Sequence, residues 1–292
     1  MNDLNKRSLL YGTAVLVLGG LGAAVATRSA DADVMTLLST ADVQLRLANG
    51  IPAVDKQGRE LTARTQMIAA AEQALDNVER MQPGMAVTAE FLGFAQRLRG
   101  KFEQAAASYR RAQGCADCEP EQRDILAFNQ ARMLAEAGHR EQALAVFEQN
   151  SKAFDVRWKH QRAVEEAALL RQLGRRVDAE RRLDGIARDA DAQPMASLQA
   201  GLEYERLGHA DKAEGVLNRI SKAVPIADYH LARLKLRHGE TDTSMQLLER
   251  AAKAVPAEVR RRIQEEPEAW SAVAKDARFL ELTAPQTATP GR

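Results

Sequence analysis

Apolar residues return at three- and four-residue intervals along most of this chain, and small or turn-forming residues interrupt them at regular distances. That spacing marks amphipathic helices. It predicts a helix over 33–48, with Val34, Leu37, Leu38, Ala41, Leu45 and Ala48 on one side. Asn49-Gly50-Ile51-Pro52 stops it, and 53–60 reads as a polar loop. The next helix, 62–81, carries Ala63, Met67, Ala70, Ala71, Ala74, Leu75 and Val78. Paired helices follow at 86–98 and 101–113, 121–136 and 140–152, 160–172 and 176–189, 194–206 and 210–222, and 226–237 and 241–254.

One glycine separates the members of each later pair: Gly100, Gly138, Gly174, Gly208 and Gly239, spaced 38, 36, 34 and 31 residues apart. Five residues after each stands a small residue (Ala105, Ala143, Ala179, Ala213, Ser244). Nine after each stands a bulky one (Tyr109, Phe147, Leu183, Leu217, Leu248). Seven before each stands another small one (Gly93, Ala131, Ala167, Gly201, Ala232). Pro225 and Pro256 lie seventeen residues after the last two glycines. The small positions are where paired helices approach closely, and the bulky ones fill the space between them. One such pair cannot bury its apolar face alone, so neighbours must stack.

On these residues the chain resembles the tetratricopeptide repeat family, with five repeats over 86–256. The resemblance implies an all-α, right-handed superhelical solenoid of helical hairpins that binds rather than catalyses. Residues 33–83 read as a divergent hairpin whose Ala71, Leu75, Val78 and Pro83 keep the second-helix spacing but whose turn lacks the glycine. Residues 257–282 read as a C-terminal cap in which Trp270 and Phe279 cover the last open edge. The tail 283–292, with Pro285 and Pro290, is expected to be disordered.

The N-terminus departs from this pattern. Leu9–Ala26 is apolar apart from Tyr11 and Thr13, behind Lys6 and Arg7. Eighteen helical residues rise about 27 Å, enough to cross a hydrocarbon core of about 30 Å. Residues 1–28 are therefore read as a single-pass membrane anchor. A cleaved signal ending at Ala24-Val25-Ala26 or Ala30-Asp31-Ala32 is the competing reading. Lys6 and Arg7 should remain cytoplasmic, which places the repeats on the periplasmic or extracytoplasmic side.

Composition narrows the function further. Aromatics are 4% of the 292 residues, against what a sheet core prefers. Forty-one Lys and Arg against 40 Asp and Glu leave a net charge of +1, so no basic footprint for nucleic acid exists. The densest basic stretch, Arg171 to Arg188, is interleaved with Asp and Glu, which favours pairing within the chain. No phosphate-cradling loop, nucleophile elbow or zinc-helix motif occurs. The expectation is no cofactor, no metal, no small-molecule substrate and no enzyme. His139, His160, His209, His230 and His238 are expected to be structural, without ligand spacing.

Cys115 and Cys118 are the two cysteines. Glu119 stands where a haem-attachment motif needs histidine, and no second close pair completes a zinc site. In an oxidising compartment the two thiols could close a small disulfide that staples the connector of the first two repeats, structural or labile; idle thiols are the other reading, with metal or redox catalysis behind both.

In this family the first helix of each pair lines a concave groove that takes a segment of another protein. By that resemblance the lining comprises Glu90, Phe94, Arg97, Phe128, Arg132, Val164, Arg171, Leu198, Leu202, Tyr229, Arg233 and Arg237, with packing between repeats as the alternative role of the apolar members. Aromatic and arginine residues are frequent binding hot spots. Charge reversal at Arg132 and Arg233 together is expected to abolish capture with little change in thermal stability. Chaperone-binding members grip a C-terminal carboxylate with lysine, asparagine and arginine. Glu90, Phe94, Gln161 and Glu165 occupy those positions here and only Asn129 matches, so that ligand is not expected.

The resemblance thus implies a membrane-anchored, non-catalytic scaffold for a partner protein or peptide. An exported periplasmic adaptor with a redox-sensitive cysteine pair, and an accessory subunit of an envelope enzyme complex, are the alternatives.

Overall fold

The computed structural model describes residues 29–55, 57–150 and 156–284. The described residues are predominantly helical and fall into two compact units, divided after Pro83. The span read at 1–28 and the tail from 285 lie outside them. Among the described residues no helix is long and apolar enough to cross a membrane.

The first unit is one hairpin, α1 (Ser29–Gly50) and α2 (Thr62–Met81). Val34, Leu38, Ala41, Leu45 and Ala48 of α1 are buried, as are Ile68, Ala71, Ala74, Leu75 and Val78 of α2. The expected α2 face is corrected in its first turns: Ile68 fills the interior, and Ala63 and Ala70 are exposed. In the connecting loop the Asp55 carboxylate accepts the amides of Gln57 and Arg59 at 2.8 and 2.9 Å. Those bonds close a tight turn bridged antiparallel at Val54 and Glu60.

The second unit holds five hairpins: α3 (Ala86–Leu98) with α4 (Phe102–Gln113), α5 (Pro120–Glu136) with α6 (Arg140–Gln149), α7 (Val156–Gln172) with α8 (Arg176–Arg188), α9 (Pro194–Leu207) with α10 (Ala210–Ile220), and α11 (Ile226–Arg237) with α12 (Thr241–Ala254). Pro120 and Pro194 open their helices, where a missing N–H costs nothing. All five hairpins turn in the same way. The residue after each glycine donates its amide five residues back, as His209 does to the Tyr204 carbonyl at 2.9 Å. Gly208 itself lies at φ 84°, a left-handed conformation that a β-branched side chain resists. Gly208→Val is therefore expected to cost roughly 1–3 kcal/mol, read as a lower Tm; an unaltered Tm would contradict the turn assignment.

Close approach between paired helices follows the small–bulky pattern. A β-carbon at Gly201 would sit 2.9 Å from Leu217, and one at Gly93 would sit 3.0 Å from the Tyr109 ring. Both glycines are therefore needed for contact within their hairpins, not for flexibility. The resulting core runs from Phe128 and Phe147 through Leu170, Leu183 and Tyr204 to Leu217 and Leu231.

The array ends in α13 (Pro256–Glu265), a 3-10 turn (Pro267–Val273) and α14 (Ala277–Thr283). Trp270 is 1% exposed. Its ring lies 5.9 Å from Phe279 and 5.3 Å from Tyr229. Its indole N–H donates to the Tyr229 hydroxyl at 3.2 Å. The cap thus closes the last hairpin from within the chain itself. Leu280 is not part of this contact and stands more than half exposed.

Candidate docking face on the first helices

The first helices α3, α5, α7, α9 and α11 carry the residues assigned to the groove, and the structure divides them into two sets. Phe94, Phe128, Val164, Leu198 and Tyr229 are buried. They pack between helices, and Tyr229 is also sealed by Trp270, so the expectation that Tyr229 meets a partner is corrected. Leu202 is half-buried. Glu90 is buried as well and accepts from Gln122 Nε2 at 2.8 Å. Burial pushes its carboxyl above the usual range, and the Gln122 bond only partly opposes this.

The arginines of the set are engaged in a ladder of contacts. Arg97 lies over the Phe94 ring at 4.7 Å. Arg132 Nε stands 3.9 Å from Glu165. Arg171 Nε donates to Glu203 at 2.7 Å, and Arg206 reaches the other oxygen of that carboxylate. Arg233 donates both to Glu205, at 2.7 and 2.9 Å, and to Glu266. Arg237 donates to Glu205 at 2.6 Å. Glu90–Gln122, Arg132–Glu165, Arg171–Glu203, Glu205–Arg237 and Arg233–Glu266 each span 32 or 33 residues, one repeat. The face is thus laced by contacts from one hairpin to the next, and its charges are largely answered within the chain.

These contacts bear on the stability part of the expectation at Arg233. The Arg233 side chain is 12% exposed and faces two carboxylates, so reversing its charge acts on the fold before it acts on any partner.

Sequence reasoning missed Trp158. It lies just ahead of the helix expected at 160–172, but α7 begins at Val156 and includes it. Its ring lies 5.5 Å from Phe128, and Arg132 stands 5.9 Å from Phe128. Trp158 keeps part of its surface in solvent while Phe128 beneath it is buried. A large aromatic pressed onto a buried ring is fixed in place, and a rigid, amphipathic surface of this kind suits recognition.

Two of the five histidines, His160 and His230, are buried. His160 Nε2 is 2.9 Å from Asp189, which Lys159 also contacts at 3.0 Å. These bonds hold the Asp189 carboxyl well below the usual range. His230 is 2% exposed, and neither ring nitrogen has a hydrogen-bond partner. Burial, and then Arg262, Arg233 and Arg206, push its pKa well below that of a solvated imidazole. Below about pH 6.5 the unfolded chain takes up a proton that the folded one refuses, so stability falls as the solution is acidified. His230→Leu removes both that titration and a buried unsatisfied N–H worth about 1–3 kcal/mol. The variant is expected to melt higher, by a margin that widens from pH 8 to pH 5.5. A margin independent of pH would sink this account.

Cys115 and Cys118 stand as two thiols in this structure. Their S–H groups turn to different carbonyls, Cys115 to Arg111 at 3.4 Å and Cys118 to Glu119 at 3.8 Å. Burial pushes the Cys118 thiol upward. Among the described residues no group of three or more His, Cys, Asp or Glu is gathered as a metal site requires.

Neither a protein-family model nor a curated protein matches the sequence. Three solved structures similar in backbone are helical. One comes from a functional characterisation of Pseudomonas aeruginosa pilF: 14% identity, TM-score 0.48, 79% of this chain and 99% of that one. Another is a tetratricopeptide repeat protein from Parabacteroides merdae, at 17% identity and TM-score 0.49, over 84% of this chain and 98% of that one. The third is a chain of the APC/C hetero-tetramer Cut9–Hcn1, at 12% identity and TM-score 0.47, covering 85% of this chain and 52% of that one.

Proposed function

We propose that this chain is a non-catalytic scaffold of the tetratricopeptide type, held at an envelope membrane by residues 1–28, with its repeats on the periplasmic side. A segment of a partner protein docks on the face formed by the first helices. The observation that carries this reading is Trp158, partly exposed on the buried Phe128 ring beside Arg132. Because neighbouring charges are already paired, selection there rests on aromatic contact and hydrogen bonding more than on net charge. Anchoring is supported by the apolar run Leu9–Ala26 and the basic residues before it.

The test is a crosslinking pulldown from membranes with the native full-length chain and with Trp158→Ala. Intact mass is read on the same samples. A reproducible complex on an intact chain, lost in the variant at unchanged Tm, supports the proposal. Equal capture by both chains removes the docking face. A chain beginning near Thr27 or Asp33 and found in the soluble fraction removes the anchor.

A further inference from the structure

We propose that Cys115 and Cys118 form a reversible intramolecular disulfide by exchange with a disulfide-bearing oxidant, and that closing it withdraws the Asp117 carboxylate from the first amide of α3. The proposal is independent of the docking face.

Three observations carry it. First, the Cys118 amide donates to the Cys115 carbonyl at 3.2 Å, so Cys115-Ala116-Asp117-Cys118 is a four-residue turn. Such turns hold their end Cα atoms within about 7 Å, and a disulfide needs about 4.4–6.8 Å. The backbone is therefore near bonding distance, and the two side chains need chiefly to rotate from the Arg111 and Glu119 carbonyls towards each other. Second, the two thiols are unequal. Cys115 is partly exposed, whereas Cys118 is 4% exposed, in the apolar cluster with Ala86, Ala89 and Ala112. An oxidant in solution meets Cys115 first. Third, Asp117 lies inside the ring that the disulfide would close. Its two oxygens accept the Ala86 amide at 3.0 and 3.2 Å, thirty-one residues away. Ala86 is the first residue of α3, so this carboxylate satisfies one of the helix's orphan N–H groups.

The chemistry balances as ordinary thiol–disulfide exchange. Cys115 loses its proton, and its thiolate attacks one sulfur of the oxidant. That S–S bond breaks, giving a mixed disulfide on Cys115 and one departing thiolate. Cys118, deprotonated in turn, attacks Cys115 Sγ and expels the second thiolate. Two electrons and two protons pass to the oxidant, which ends as two thiols, and the protein ends as a disulfide. A disulfide spanning only two intervening residues re-forms the turn around itself, and Asp117 moves with it.

Oxidised glutathione is the probe, with the full chain, Cys115→Ser and Cys118→Ser. The wild type is expected to lose two hydrogens by intact mass, form no intermolecular disulfide, and recover with dithiothreitol. Cys118→Ser is expected to hold one glutathione, and Cys115→Ser to stay unmodified at the same exposure time. Hydrogen exchange over a peptide spanning Ala86 to Glu90 is expected to quicken in the oxidised wild type, with no such change in glutathione-treated Cys115→Ser. Equal labelling of both variants overturns the order of attack. A purely intermolecular product, or no reaction, overturns the pair. An unchanged exchange rate at Ala86 overturns the coupling to Asp117.

Discussion

Trp270→Ala is expected to produce the largest loss of stability of any single truncation in the cap. The indole is enclosed, stacks on Phe279, and binds the Tyr229 hydroxyl. Removing a buried Trp costs about 3–5 kcal/mol. It also leaves Tyr229 and Phe279 facing an empty space. Repeat arrays gain stability largely from nearest-neighbour interfaces, so the loss should be local. Hydrogen exchange should accelerate in α11 and α12 and stay as before in α3 to α6. Uncovered apolar edges invite self-association, so the variant should also elute earlier and concentration-dependently on size exclusion. An unchanged Tm would mean that the cap is not part of the folded array.

Arg233→Glu is expected to be nearly as severe. Arg233 bridges Glu205 on α9 and Glu266 beyond α13, and the side chains of Arg233 and Glu205 are both largely buried. A buried ion pair adds little net stability, but breaking one by removing a partner costs about 3–5 kcal/mol. Reversal goes further and gathers three carboxylates. Arg233→Met leaves the two acids unanswered by that guanidinium but adds no third, so the order of Tm should be wild type, then Met, then Glu. A Glu variant within about 0.5 kcal/mol of wild type, as at an ordinary surface site, would show that the ladder carries no weight.

Much of this architecture was legible in the sequence because helix period, turn glycine and close-packed small residue are each written in single positions. α2, α3, α11 and α12 begin and end where the spacing predicts. Ends without a sharp stop were less legible: α6 finishes at Gln149, short of the expected 152, and α7 starts at Val156, ahead of the expected 160. The second of those shifts concealed Trp158. The candidate face was legible only by position. Which of its residues are covered depends on neighbours one repeat away, and no local pattern reports that Tyr229 lies beneath Trp270 or that Arg233 lies between two acids. The burial of His230 was illegible for the same reason, since nothing within its own helix says that its ring is roofed over.

The polarity of the ladder also bears on how such an array can change length. From α5 to α7 and from α7 to α9 the arginine belongs to the earlier helix and the carboxylate to the later one. Between α9 and α11 the order is reversed, because Glu205 receives Arg233 and Arg237 from downstream. On this face α9 therefore supplies the acid on both of its sides, whereas its partner α10 supplies a cation upstream, Lys212 meeting Glu180 and Asp184 of α8. Excising that one hairpin would leave Arg171 and Arg233 on adjoining first helices with no Glu203 or Glu205 between them. The five hairpins are thus not interchangeable modules. Along the first-helix face their order is marked by which side of each joint carries the arginine, and a duplication or loss at α9–α10 would require compensating substitutions in both flanking hairpins.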